Sequence, residues 1–328
     1  MNKRTSIFLI YLLPLPVLLL SLFVGPSENM GWGKILSFLW HPDAAEPLVR
    51  TILLDIRLPR VLLVFCTGGV LALSGAALQA IFRNPLVDPY VLGLSSGAAF
   101  GAALALWTPW APVQVSAFVF AVAAVGLSFF MARKNRQVSI VSLILAGIIT
   151  NGIFTALLTV VQILSDPYKL QGIVHWIMGN FHTAGWDKLQ MAILPMAAGV
   201  VILYFLRWRL NVLALGDDEA AAVGINPSRL KWWSLLAVTL SGSAAVAVSG
   251  IIGLYGLMVP HVVRMLFGVD NRQTLLLNLL LGGSFLVIID NISRSMAGFE
   301  IPIGVFTMLL GAPFFIWLLK KSNIGWEH

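Results

Sequence analysis

Asp217, Asp218 and Glu219 stand side by side in the stretch Asn211-Val212-Leu213-Ala214-Leu215-Gly216-Asp217-Asp218-Glu219-Ala220-Ala221-Ala222-Val223-Gly224-Ile225. Three consecutive acids suit the first turn of a short helix, where unpaired backbone N–H groups favour negative charge. Gly224 is placed to end that helix. A short helix of this kind fits a docking element for a soluble partner; a merely solvated cap is the alternative. A second candidate is the run from Arg83 to Leu94, in which Pro85 and Pro89 forbid a continuous helix and impose an extended turn. It reads either as a rigid connection or as a working element. The third is Ser249 to Arg264, where Gly250, Gly253 and Gly256 break the chain ahead of His261. His261 is either a proton carrier or, as suits a lone His near a helix end, a hydrogen-bonded structural residue.

Other chemistries find no support in residue spacing. The histidines at 41, 175, 182, 261 and 328 show no metal-ligand pattern, and Cys66 is the only cysteine, which also argues against a disulfide framework. Lys321-Ser322 follows Lys320 rather than Gly, so no phosphate-cradling loop can form there. No Ser/His/Asp set is concentrated in one region. Intramembrane acids, which ion-driven carriers need, are scarce: Asp290 lies near one span end and Asp88 in an inside turn. Work against a gradient would then come from another subunit.

The elements that position these residues follow from composition. Of 328 residues, 59% are hydrophobic and 11% charged, with mean hydropathy +0.90. Soluble domains carry about 25% charge. The chain is expected to be all-α, a single polytopic transmembrane domain over 1–328. Ten apolar stretches are long enough for a hydrocarbon core of about 30 Å: 6–24, 61–82, 90–107, 112–132, 139–164, 189–206, 232–249, 255–267, 274–290 and 303–319. The eighth is short and carries Pro260, His261 and Arg264, as an interrupted helix buried in the bundle would. The first run resembles a signal peptide, but its length, Pro14, Pro16 and the poor cleavage site at Val24-Gly25-Pro26 favour a retained span.

The net charge of +7 reflects orientation rather than nucleic acid, because no basic run is interleaved with aromatics. With the N-terminus inside, Lys34, Arg50, Arg57, Arg60, Lys169, Lys188 and Arg294 fall outside, and the other 14 of the 21 Lys and Arg residues fall inside. This bias supports N-in, C-in. Dropping the eighth span would move Lys320 and Lys321 outside. Dense small residues, as in Gly68-Gly69, Ser74-Gly75-Ala76-Ala77 and Gly97-Ala98-Ala99, suit close helix packing. A faint echo between Ala72-Leu73-Ser74-Gly75 and Ala247-Val248-Ser249-Gly250 hints at two related halves.

Several of these stretches carry a resemblance. Arg57-Leu58-Pro59-Arg60, Ser74-Gly75 with Gln79, Asn84-Pro85-Leu86, Gly93 to Gly97, Leu145-Ala146-Gly147, Gly216 to Gly224, Gly256 to Arg264, Ile301-Pro302-Ile303-Gly304 and Leu310-Gly311-Ala312-Pro313 run in order along nearly the whole chain. Together they resemble the permease subunit of the prokaryotic iron-siderophore, haem and cobalamin ABC importers. The resemblance implies a multi-pass protein of the cytoplasmic (inner) membrane that pairs with a second copy of itself around a central path. Two ATP-binding subunits would dock inside and a substrate-binding protein outside. It implies no cofactor on this chain, with ATP and Mg used by the partner ATPase, and no enzymatic activity of its own.

Residue roles carried over by this resemblance are as follows. Leu213, Leu215, Gly216, Asp217, Asp218, Glu219, Ala220 and Gly224, within coupling helices at about 211–227, would contact the ATPase. Arg57, Arg60 and Arg294 would meet carboxylates of the binding protein; the planar guanidinium fork suits that, with lipid headgroup anchoring as the alternative. Asn84 and Leu86 match one inner gate, and Ser139 and Ile140 the other, although the apolar Ile140 departs from the small polar residue of the cobalamin member. The implied mechanism is alternating access, most simply with a ferric siderophore as cargo and with haem or cobalamin as alternatives. A gradient-driven secondary carrier and a non-transporting receptor are the competing classes.

Overall fold

A computed structural model of the chain describes residues 3–25, 32–40, 47–134, 137–296 and 299–321; His41, Ser322 and His328 lie outside them. The helices in order are α1 (Lys3–Leu12), α2 (Pro14–Ser21), α3 (Trp32–Trp40), α4 (Pro47–Thr51), α5 (Leu58–Phe82), α6 (Leu94–Trp107), α7 (Val113–Ala132) and α8 (Ile140–Leu164). They continue with α9 (Pro167–Ile177), α10 (Trp186–Leu215), α11 (Asp217–Ala222), α12 (Pro227–Ser249), α13 (Tyr255–Phe267), α14 (Asn271–Ser295) and α15 (Ile303–Lys321). A π-helical turn, Ile52–Arg57, joins α4 to α5, and a 3-10 turn, Pro89–Leu92, precedes α6. The one ladder among the described residues is two residues a side, Arg133–Lys134 against Gln137–Val138.

Among the described residues six helices are long and apolar enough to cross a membrane, and four shorter apolar helices fall on the remaining expected spans. The protein is thus a nearly all-helical, polytopic membrane protein. Boundaries moved in both directions. α10 runs to Leu215 through an internal Pro195, well past the expected end at 206. α13 occupies the expected 255–267. The stretch expected to hold coupling helices at 211–227 is the end of α10, the six-residue α11 and a loop.

α5 runs through the middle, packed on α10, α12, α13 and α14. Small residues let it do so: a Cβ on Gly75 would lie 1.7 Å from the Gly256 carbonyl oxygen of α13. Membrane interiors tolerate irregular backbone only where protein covers it, and the short spans obey this. α12 stops at Ser249, Gly250 turns left-handed (φ 70°), Leu254 does so too (φ 62°), and α13 restarts at Tyr255. The freed polar groups find partners inside the bundle. The Tyr90 hydroxyl accepts from the Ile252 N–H and donates to the Ile252 carbonyl, both at 3.1 Å. The Asn180 N–H donates to the Ser249 carbonyl at 2.7 Å. The broken eighth span is therefore held by the turn after α5. The sequence echo has no local counterpart, since Ala72–Gly75 lies within α5 whereas Ala247–Gly250 closes α12.

Candidate functional site

At the end assigned outside, the chain builds a closed charge cluster. Arg60 on α5 places Nε 3.1 Å and Nη2 2.8 Å from the two carboxylate oxygens of Asp290 on α14. The same guanidinium donates from Nη1 and Nη2 to both oxygens of Glu300, each at 2.9 Å. Arg294 lies 3.7 Å from Asp290 and donates to the Ser21 carbonyl at 2.9 Å and to the Asn291 side chain at 2.5 Å. Arg57 donates to the Leu22 carbonyl at 2.7 Å. Arg57, Arg60 and Arg294 are only 3%, 8% and 3% exposed. The fold holds all three inward, because carboxylates 230 and 240 residues away return to Arg60 and the α2 end covers the other two.

The loop side of this cluster is half open. Glu300 lies between α14 and α15, and its carboxylate also meets His182 Nδ1 at 2.8 Å. Burial pushes the Glu300 carboxyl up, but the hydrogen bonds and charge of Arg60 prevail and hold it below the usual carboxylate range. Burial lowers the His182 imidazole, against the pull of Glu300 and with the repulsion of His175 and Arg60. His182 stacks on His175 with ring centroids 5.0 Å apart.

The inner end is built differently. Gly216 precedes α11, whose first three residues are Asp217, Asp218 and Glu219. The Glu219 carboxylate folds over Gly216, occupying the space a Cβ would need. At the other end Gly224 is left-handed (φ 80°). Its N–H bonds the Ala221 carbonyl and the Ile225 N–H bonds the Ala220 carbonyl, a paired closure that terminates a helix. Leu213 and Ala220 are buried and root the segment, while Leu215, Asp218 and Glu219 are exposed. Asp217 alone is anchored, accepting from Lys231 Nζ at 2.5 Å and lying 3.8 Å from Arg83.

Arg83 begins the turn that carries Asn84 and Leu86. The Asn84 side chain accepts from the Leu86 N–H at 2.9 Å, and Leu86 is exposed. Ser139 caps α8 by accepting from the Ser142 N–H at 3.0 Å, and Ile140 packs partly into the core. Among the described residues no hydrogen bond links these two pairs. His261 is half-buried, with its ring edge-on to Phe314 at 5.9 Å. No group of three or more His, Cys, Asp or Glu side chains within metal-holding reach occurs among the described residues.

A family model, the FecCD transport family, matches residues 12–321. The chain belongs to that family. It is 39% identical over 315 residues to the molybdate import system permease protein MolB of Haemophilus influenzae, covering 93% of this chain and 92% of that protein. It is 40% identical over 322 residues to the hemin transport system permease protein HmuU of Yersinia pestis, covering 94% of each. A solved structure described as an inward-facing conformation of a metal-chelate type ABC transporter superposes with a TM-score of 0.87 at 36% identity, covering 97% of this chain and all of that one.

As a FecCD permease the chain is a non-catalytic transport component of an ABC importer, a class that works with ATPase and substrate-binding partners. Sequence reasoning located the family's charged ends but missed their wiring. Lys231 and Glu300 carry that wiring, and neither lies in a motif. The one available signal for Lys231 was a cation just inside an apolar helix, which must be paired or snorkel.

Proposed function

We propose that this chain forms one half of a paired importer permease in the cytoplasmic membrane, moving a bulky metal chelate, with ferric siderophore the first choice. The observation that carries the reading is the face of α8. Along it Leu145, Ile149, Ile153, Leu157 and Val160 are exposed together with Gly152, Thr155, Ala156 and Thr159. Lipid-facing surfaces gain nothing from glycine and hydroxyls, whereas small residues spaced four apart let a second helix approach. We therefore pair α8 with its copy across a two-fold axis.

α8 carries no charged residue from Ile140 to Leu164. A corridor lined this way suits a large chelate whose metal is already wrapped. A compact dianion such as molybdate would call for fixed cations along the path. The exposed acids of α11 receive the ATPase, with Leu213, Leu215, Gly216, Asp217, Ala220 and Gly224 shaping and anchoring that element. Arg57, Arg60 and Arg294 mark the surface where the binding protein docks. Asn84 with Leu86 and Ser139 with Ile140 close the inner mouth. Asp217, bridging Lys231 on α12 and Arg83 beside Asn84, would carry movement of α11 into the gate turn.

Two measurements test the reading. Thr155→Cys should cross-link to its copy in native membranes, and a monomer that never cross-links counts against the pairing. In proteoliposomes with ATPase and binding protein, ATP-driven uptake is expected for a ferric siderophore among siderophore, hemin, cobalamin and molybdate. Uptake of molybdate alone would overturn the chelate assignment.

A further inference from the structure

The outer cluster contains two carboxylates with unequal standing. Asp290 is 1% exposed, sits within α14 and is shared by Arg60 and Arg294. Removing it would leave the partly exposed Glu300 as the only acid for two buried guanidiniums, so it is part of the framework. Glu300 retains 21% side-chain exposure, lies on the connection between α14 and α15, and reaches the cluster by its side chain alone. Just after it the chain is fastened to α14, where the Ile301 N–H meets the Ser293 carbonyl at 3.4 Å and the Ser293 hydroxyl donates to the Ile301 carbonyl. The backbone is thus fixed beside Arg60, while the carboxylate can swing outward without moving a helix.

We propose that Glu300 is a built-in competitor that covers Arg60 until a carboxylate of the docking binding protein replaces it. This rests on the docking role assigned above to the arginines. The exchange is chemically balanced. Arg60 keeps a two-point carboxylate partner throughout, so the cost of stripping a bare guanidinium is avoided. Glu300 leaves for water, where an ionised carboxylate is well solvated. His182 at 2.8 Å holds the departing side from the rim. Three arginines face two acids, so the cluster has room for further negative charge. A partner lacking an acid at the right place cannot evict Glu300, which makes the latch a filter against wrong partners.

The test has a partner-free arm and a docking arm. In nanodiscs, phenylglyoxal labelling of Arg60, read by mass spectrometry against Arg57 as internal reference, should be slow in the wild type. It should rise about tenfold in Glu300→Gln and stay slow in Glu300→Asp, which keeps the charge; unchanged labelling in Glu300→Gln overturns the latch. In the second arm, the substrate-binding protein of the same importer is titrated onto each variant. Arg60→Ala should weaken docking and Glu300→Gln should tighten it about tenfold. Weakening by Arg60→Ala without tightening by Glu300→Gln overturns the latch while leaving the docking reading intact. Wild-type affinity in Arg60→Ala overturns the docking reading itself, and the labelling arm then still reports whether Glu300 covers Arg60. A cooperative thermal transition above the assay temperature qualifies each variant for both arms.

Discussion

The two charged ends of this bundle are built in opposite ways. Outside, Arg57, Arg60 and Arg294 are folded inward and occupied by Asp290, Glu300, Ser21, Asn291 and the α2 end. Inside, Asp218 and Glu219 stand exposed on a helix of six residues, and only Asp217 is tied down, by the 4%-exposed Lys231. On the docking roles proposed above, the outer surface must be opened before it can bind, whereas the inner one is ready at rest.

That contrast can be broken by substitution. The largest effect is expected for Asp290→Ala, which takes the buried carboxylate from Arg294 and leaves Arg60 with Glu300 alone, at a cost of about 3–5 kcal/mol. Thermal unfolding in nanodiscs measures it, and a loss below about 1 kcal/mol would mean the outer cluster is not closed. Asp217→Ala removes the acceptor of a buried ammonium and should cost roughly 1.5–3 kcal/mol, with ATP hydrolysis continuing while uptake falls. Hydrolysis and uptake that remain in step would sever α11 from the gate turn. Asp218→Asn with Glu219→Gln should leave stability within about 0.5 kcal/mol, as for other exposed sites, yet reduce uptake severalfold; a stability loss with normal uptake would make the inner acids structural.

The smallest effect is one of pH. Because Arg60 holds the Glu300 carboxyl below its ordinary range, this carboxylate's stabilising contribution is fully present above the ordinary value and lost as pH falls through the lowered one. The melting temperatures of wild type and Glu300→Gln should therefore differ at neutral pH and converge in acid. A constant gap would show that Glu300 acts by shape rather than charge.

What could be read from the residues alone followed how local each feature is. Apolar run length located ten apolar helices, six of them long enough to cross a membrane, and the glycines after Ser249 marked the break between α12 and α13, since both depend on neighbouring residues. The end of α10 was misplaced because Arg207 and Arg209 ended the apolar run while the helix continued to Leu215. Gly224 and the acids of α11 signalled a capped helix through rules that operate within one turn. Arg57, Arg60 and Arg294 were correctly grouped at one end by topology, but their burial was illegible. It depends on Asp290 and Glu300 arriving from the far end of the chain, and no periodicity records such a return. The Tyr90–Ile252 bond, across 162 residues, was hidden for the same reason.

The most direct test of the whole account is accumulation of a ferric siderophore in proteoliposomes containing this chain alone or with its ATPase and binding protein. Uptake above the supplied concentration should occur only in the full assembly with ATP. Accumulation by the chain alone, driven by a proton or sodium gradient, would contradict it.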